Sequence, residues 1–458
     1  MRPASFSIIC QFLHKCAAEK MDTIKTKVCP WVRSLAEEVR KSSDTLYCIV
    51  FGIYLLSLLL PMMGWSVPGF TGRNVRYTLT VFLFLFLGVY IGSVFVMWLR
   101  KKWTIIPVLA AVALFLYLCA GMQRNIFDGL MIVILVLFSY GRQFKHILKT
   151  SLLCTAATLI TAALGLLFGY TAEMAKTGSY GAGFALGMSH PNVWGTYALF
   201  ILLMVWYLFI RQRSGTIRFC YYALSWGLGV FMIFVPKCRT EALLAFALPV
   251  TAVICRALTG WRETGPGRQE NAGSGRKVSK LRKAILWILI LTPVICFLLT
   301  VILSAMRGWL VENTFGTYIE NFSKRFIQSG LAFKEHGFPL LGETIRFKSG
   351  FSETLGGYKF VLYVMDNAYS SFAILRGMIW MVPILIWLTF ANWKAAWKKD
   401  YVLLAISILF CLLGLMERFA LDAYNFVYFY PLAIAAGRVF SKPPPEEPAK
   451  NTSDALDD

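Results

Sequence analysis

The residues of this chain suited to chemistry are few, and they lie in short clusters between long apolar runs. Ser189-His190-Pro191-Asn192 leads directly into one such run. Proline suits the first position of a helix, where its missing N–H would be unpaired anyway, and this puts His190 at the N-cap. There the helix dipole disfavours an imidazolium, keeping the ring neutral and able to accept a proton, while the free N–H groups favour an anion. A lone histidine at such a boundary is also an ordinary polar cap, and position alone leaves both readings open. Lys237-Cys238-Arg239-Thr240-Glu241 forms a turn between two apolar runs. A cation so close to hydrocarbon needs a partner or an anionic ligand. Arg239 either forks onto phosphate oxygens or pairs with Glu241. Asn321-Phe322-Ser323-Lys324-Arg325 supplies a second cationic pair, and Arg346 with Lys348 a third. Asp366-Asn367-Ala368-Tyr369 stands immediately before another apolar run, and Glu417-Arg418 and Asp422 to Asn425 interrupt the last polar turn.

The elements that must position these clusters are membrane helices. A bilayer core takes about 20 apolar residues as a helix, because lipid offers the backbone no hydrogen-bond partner. About twelve stretches qualify: 45–64, 77–99, 103–122, 126–140, 151–170, 191–210, 219–236, 241–257, 284–306, 367–391, 401–416 and 424–438. The expected fold is an all-α polytopic membrane protein with one large extracytoplasmic loop. With the N-terminus inside, every second loop is basic: Arg100-Lys101-Lys102, Arg142 to Lys149, Arg211 to Arg218, Arg256 to Lys283 and Lys394 to Lys399. With the two tails, that side carries most of the 46 Lys and Arg residues, which makes it cytoplasmic by the positive-inside rule. The polar clusters above nearly all fall on the opposite, outer side.

Three parts of the chain follow. Residues 1–43 are a cytoplasmic N-terminal segment in which Val28, Trp31, Val32, Leu35, Ala36 and Val39 recur at helical spacing, as in a helix lying on the inner surface. Residues 44–440 are the membrane domain, including the outer loop 307–366, and 441–458 are an acidic, proline-bearing tail expected to be disordered. The apolar run Ile8 to Leu13 is short and leads into Lys15 with no small-residue site, so no cleavable signal peptide is expected. The Gly-rich, basic loop 256–283 is read as a flexible linker.

The net charge of +22 is mostly cytoplasmic loop charge facing anionic lipid, which argues against nucleic acid as a partner. The 11 cysteines are scattered singly, with only Cys238 near the outer lip, in neither a disulfide framework nor a metal site. His14, His146, His190 and His336 are too dispersed to ligate a metal together. There is no phosphate-cradling glycine loop and no Asp-x-Asp pair for a metal–nucleotide sugar.

Ser189-His190-Pro191-Asn192 with Gly195 at a span start, the Arg239-Thr240 turn, and Asp366-Asn367-Ala368-Tyr369 after a single large outer loop resemble the O-antigen ligase and polymerase superfamily. The chain departs from that pattern at Cys238, where a serine is common, and at Ser370, where an apolar residue is frequent. The resemblance implies polymerisation of undecaprenyl-pyrophosphate-linked oligosaccharides at the outer face of a bacterial cytoplasmic membrane, by metal-independent, inverting glycosyl transfer with no cofactor. It implies a lipid-linked donor and acceptor as substrates, membrane lipid around them, and room for a flippase and a chain-length regulator as partners. Arg239 and Arg325 are then candidates for holding the pyrophosphate, and His190 is either the base for the acceptor hydroxyl or a phosphate contact. Glu417 is a second candidate base. Asn192 belongs to the His-Pro-Asn motif and would contact substrate, while Asp366, Asn367 and Tyr369 would orient sugar or anchor the loop as a lid. The alternatives are ligase-type transfer to another acceptor, and a lipid-linked glycan flippase or other transporter. Pro107, Pro249, Pro293 and Pro383 would suit the broken helices of a carrier. Against a carrier stand the lack of symmetry between halves and the scarcity of mid-span ionisable groups beyond Asp128.

Overall fold

The computed structural model describes residues 45–67, 71–84, 135, 144–172, 176–178, 181–213, 215–259, 280–314, 317, 320–343, 345, 352–361 and 365–417. Among these the chain is mostly helical. In order come α1 (Thr45–Met62), α2 (72–84), α3 (Phe144–Leu167), α4 (Pro191–Ile210), α5 (Gly215–Phe234) and α6 (Arg239–Thr259). Then follow α7 (Lys280–Ile290), α8 (Thr292–Ala305), α9 (Arg307–Thr314), α10 (Glu320–His336), α11 (Ala368–Leu375), α12 (Met378–Trp397) and α13 (Tyr401–Met416). Six of them, α1, α3, α4, α5, α6 and α12, are long and apolar enough to cross a membrane, and α13 is a shorter apolar helix. Their outward faces carry bulky apolar side chains such as Leu153, Phe219, Leu224 and Ile386, an arrangement suited to lipid rather than water. The chain is therefore membrane-embedded.

Two expected spans are broken. The run 284–306 is divided between α7 and α8, which meet at an angle of 69°. Pro293 has no N–H to give to Leu289, so the ladder fails at that point. Asn392 of α12 repairs part of the loss by donating to Leu289 O at 3.5 Å and Ile290 O at 3.3 Å. The run 367–391 is likewise two helices, α11 and α12, separated at Gly377, whose φ of 85° lies in the left-handed region. A Cβ there would come within 2.3 Å of Leu340 O, and the residues beyond the break donate back to Pro339 O and Leu340 O. Hydropathy registers neither break, because both halves of each run are apolar.

The segment 307–366 holds α9, α10 and a hairpin of β3 (Ser352–Leu355) and β4 (Tyr358–Val361), and a smaller hairpin, β1 (Lys176–Gly178) with β2 (Gly181–Gly183), precedes α4. The described residues are mostly helical, in keeping with an all-α class, and these two short hairpins are the strands they add. Arg307 forks onto Glu353 at 2.9 and 3.3 Å and Lys334 reaches the same carboxylate at 2.7 Å, clasping the second hairpin to α9 and α10. The expected surface helix in 1–43, the spans 103–122 and 424–438, all of 126–140 but residue 135, most of 77–99, the tail 441–458 and most of the 256–283 linker lie outside the described residues.

α6 is the hub of the bundle, packing on α4, α5 and α13, while α8 joins α10, α11 and α13. Close approach depends on small residues. A Cβ on Gly195 of α4 would sit 2.7 Å from Cβ of Cys238, and one on Gly229 of α5 would sit 2.9 Å from the Phe246 ring.

Candidate functional site

Pro191 is the first residue of α4 and His190 its N-cap, with extended backbone at φ −157°. His190 Nδ1 accepts from the Asn192 amide at 3.1 Å. The loop before it is fixed in place: Ser189 N donates to Met62 O at 2.8 Å, Gly64 N to Gly187 O at 3.0 Å and Ala172 N to Gly64 O at 2.7 Å. Phe184 N bonds Val235 O at 3.2 Å, so the loop is tied to the ends of both α1 and α5. Gly187, at φ 82°, would with a side chain collide with Ala162 O at 2.2 Å. The histidine is thus held by a strap with little slack.

In the first turn of α4, Asn192 Nδ2 donates to Glu417 Oε1 at 3.1 Å, and Arg325 Nη1 of α10 donates to the same oxygen at 3.0 Å. Glu417 ends α13: it is the C-cap, its extended backbone turns the chain away from the helix, and its side chain is buried. Burial pushes its carboxyl above the ordinary carboxylate range, the Arg325 guanidinium pulls it down, and Asp366 nearby pushes it up again. A buried carboxylate survives only with such partners.

Glu241, in the first turn of α6, is fully buried. Its Oε1 accepts from Thr196 Oγ1 at 2.9 Å, and among the described residues its Oε2 has no hydrogen bond. It lies near enough to Glu417 for the two carboxyls to interact. Of the two readings left open for Arg239, the pair with Glu241 is not what the geometry records: Glu241 turns inward to Thr196, whereas Arg239 begins α6 with its side chain exposed. The i,i+4 spacing of Asn192 and Thr196 in an otherwise apolar helix was the available signal, since it sets both on one face. Without a partner in sequence it reads as two isolated polar residues.

Asp366 is exposed at the entrance to α11 and sits beside Glu417. Asn367 and Tyr369 are tied into the framework. Asn367 is the buried N-cap of α11: its Oδ1 accepts from Ser370 N at 3.0 Å, and its Nδ2 donates to Thr300 Oγ1 and Leu415 O, each at 3.0 Å. Tyr369 is buried and donates to Cys411 O at 2.9 Å. Both residues hold α11 to α8 and α13. Arg346, Lys348, Arg418 and Asp422 to Asn425 lie outside the described residues.

His190 and Asn192 at the head of α4, Glu241 at the head of α6, Arg325 on α10, Asp366 before α11 and Glu417 after α13 therefore converge from five segments. Arg239 stands at the same end of α6. Among the described residues no group of three or more His, Cys, Asp or Glu side chains is placed to hold a metal ion. The set offers a buried carboxylate to receive a proton, a guanidinium beside it, and a capped helix N-terminus where an anion is favoured. No family model matches this sequence, and no curated protein or solved structure matches it significantly.

Proposed function

We propose that this chain is a membrane glycosyltransferase that polymerises oligosaccharide repeat units carried on undecaprenyl pyrophosphate. In this reading it spans the bacterial cytoplasmic membrane about twelve times, with both termini cytoplasmic and the site on the outer face. The observation that carries the reading is the Asn192–Glu417–Arg325 cluster beside the His190 helix N-terminus. A pyrophosphate leaving group is already good, so the protein mainly has to hold two lipid-borne glycans in line and neutralise developing negative charge. Glu417 takes the proton of the acceptor hydroxyl, while Arg239 and Arg325 receive the pyrophosphate. His190 serves as a phosphate contact: with Nδ1 accepting the Asn192 amide, the neutral ring carries its proton on Nε2 and donates it.

The test is polymer formation by the purified protein from lipid-linked repeat units, in the presence of a metal chelator. Wild type makes a ladder of products, and Arg239→Ala, which removes one anion-binding group, reduces turnover by about 10²–10³-fold. Full activity in Arg239→Ala removes that residue from the site. A carrier is the second reading, favoured by the break between α7 and α8. Movement of labelled lipid-linked glycan across proteoliposomes without any lengthening would establish the carrier and exclude the polymerase.

A further inference from the structure

Arg325 meets Glu417 end-on. One guanidinium N–H reaches one carboxylate oxygen at 3.0 Å, whereas Arg307 shows the two-bond fork on Glu353. The same Glu417 oxygen is held independently by Asn192 at 3.1 Å. The arginine side chain is 16% exposed and the glutamate 5%, so an anion arriving from outside reaches the guanidinium before it reaches the acid.

We infer that Arg325 exchanges partners during the reaction: it leaves Glu417 for the donor's pyrophosphate, and that departure makes Glu417 a base. The inference rests on the polymerase reading above. A pyrophosphate diester carries two negative charges and offers oxygens spaced for the guanidinium fork, so it competes well against a single carboxylate oxygen that shares its lone pairs with an amide. When Arg325 leaves, Asn192 keeps Glu417 in place. Among the described residues, the groups whose charge then bears on Glu417 are Asp366 from the head of α11 and Glu241 and Cys238 from the start of α6, none of them cationic. Loss of an opposite charge in contact raises a carboxyl's affinity for protons by about 1–3 pH units. Glu417 then takes the proton of the acceptor hydroxyl as its oxygen bonds to the anomeric carbon. The bond from that carbon to the pyrophosphate oxygen breaks, and its electron pair leaves with the pyrophosphate that Arg325 now holds. Before the donor binds, Glu417 remains tied to Arg325 and is a poor base, so the acceptor is not activated without a donor to receive it.

The experiment uses the full chain in detergent, inorganic pyrophosphate as probe and a metal chelator. The protonated-carboxyl stretch of Glu417 is followed by infrared difference spectroscopy across pH and assigned by its loss in Glu417→Gln. Pyrophosphate is expected to move the Glu417 titration upward by about one pH unit or more. In Arg325→Gln the titration lies high already and pyrophosphate does not move it. Calorimetry in buffers of different ionisation enthalpy gives a second readout that needs no arginine variant: wild type takes up a proton as pyrophosphate binds, and Glu417→Gln does not. Pyrophosphate that fails to bind, or that binds wild type with no shift and no proton uptake, overturns the exchange. A wild type that polymerises yet shows no shift overturns the exchange alone. Absence of polymer from any lipid-linked substrate overturns the polymerase reading itself.

Discussion

His190 shows how one hydrogen bond narrows a role that sequence leaves open. As a base, the ring would need a free lone pair facing substrate; with Nδ1 accepting the Asn192 amide at 3.1 Å, the proton is on Nε2 and the outward nitrogen is a donor. The expected outcome is that His190→Gln, which keeps an N–H at similar reach, retains much more polymerising activity than His190→Ala. Initial rates on lipid-linked repeat units, normalised to folded protein, check this; equal loss in both variants would return His190 to the role of base. The N-cap position itself was readable, because Pro191 marks the first turn of a helix from its own covalent structure. The inward turn of Glu241 was not, since its choice of Thr196 over Arg239 is made by the close packing of α4 on α6 at Gly195, and that contact joins residues 45 positions apart.

Asn367 is a single side chain on which three elements depend. It caps α11 and ties it to Thr300 of α8 and Leu415 of α13. Asn367→Ala leaves buried donors and acceptors unmatched and is expected to destabilise by about 1–3 kcal/mol. That appears as a lower thermal unfolding midpoint in detergent, with Asp366→Asn, at the exposed neighbour, unchanged. An unaltered midpoint in Asn367→Ala would show that these bonds are replaced by others. The existence of helices was plain from the apolar runs: α13 begins and ends where the sequence predicts, and α4 does as well. Their interruptions were not. A φ of 85° at Gly377 and a missing N–H at Pro293 are events of one residue inside runs whose average apolarity is unaffected, and both breaks are completed by distant partners, Leu340 and Asn392.

Charge governs the whole molecule's orientation. The basic loops alternate with the polar clusters along the sequence, so the site should face away from the cytoplasm. A cysteine placed at Ser352, on an exposed position of β3, is expected to be labelled in intact cells by a membrane-impermeant maleimide. One at Ser274, in the basic linker, should react only after the membrane is opened. Equal labelling of both in intact cells would reverse the orientation and the outward site with it. Because topology depends on summed charge and apolar length, it can be read without any knowledge of packing; the site depends on which lips meet, and only the packed bundle decides that.

Asn192 and Glu417 touch although 225 residues separate them. A chain threaded into the membrane in order delivers its histidine and asparagine early and its glutamate near the end of the described helices. Until α13 has been inserted and docked on α6, the emerging chain has an anion-friendly helix end and the buried Glu241, but not the Glu417 carboxylate that Asn192 and Arg325 hold. The proposed centre is thereby incomplete throughout synthesis, and a chain stalled before α13 would occupy the membrane without the Asn192–Glu417–Arg325 cluster.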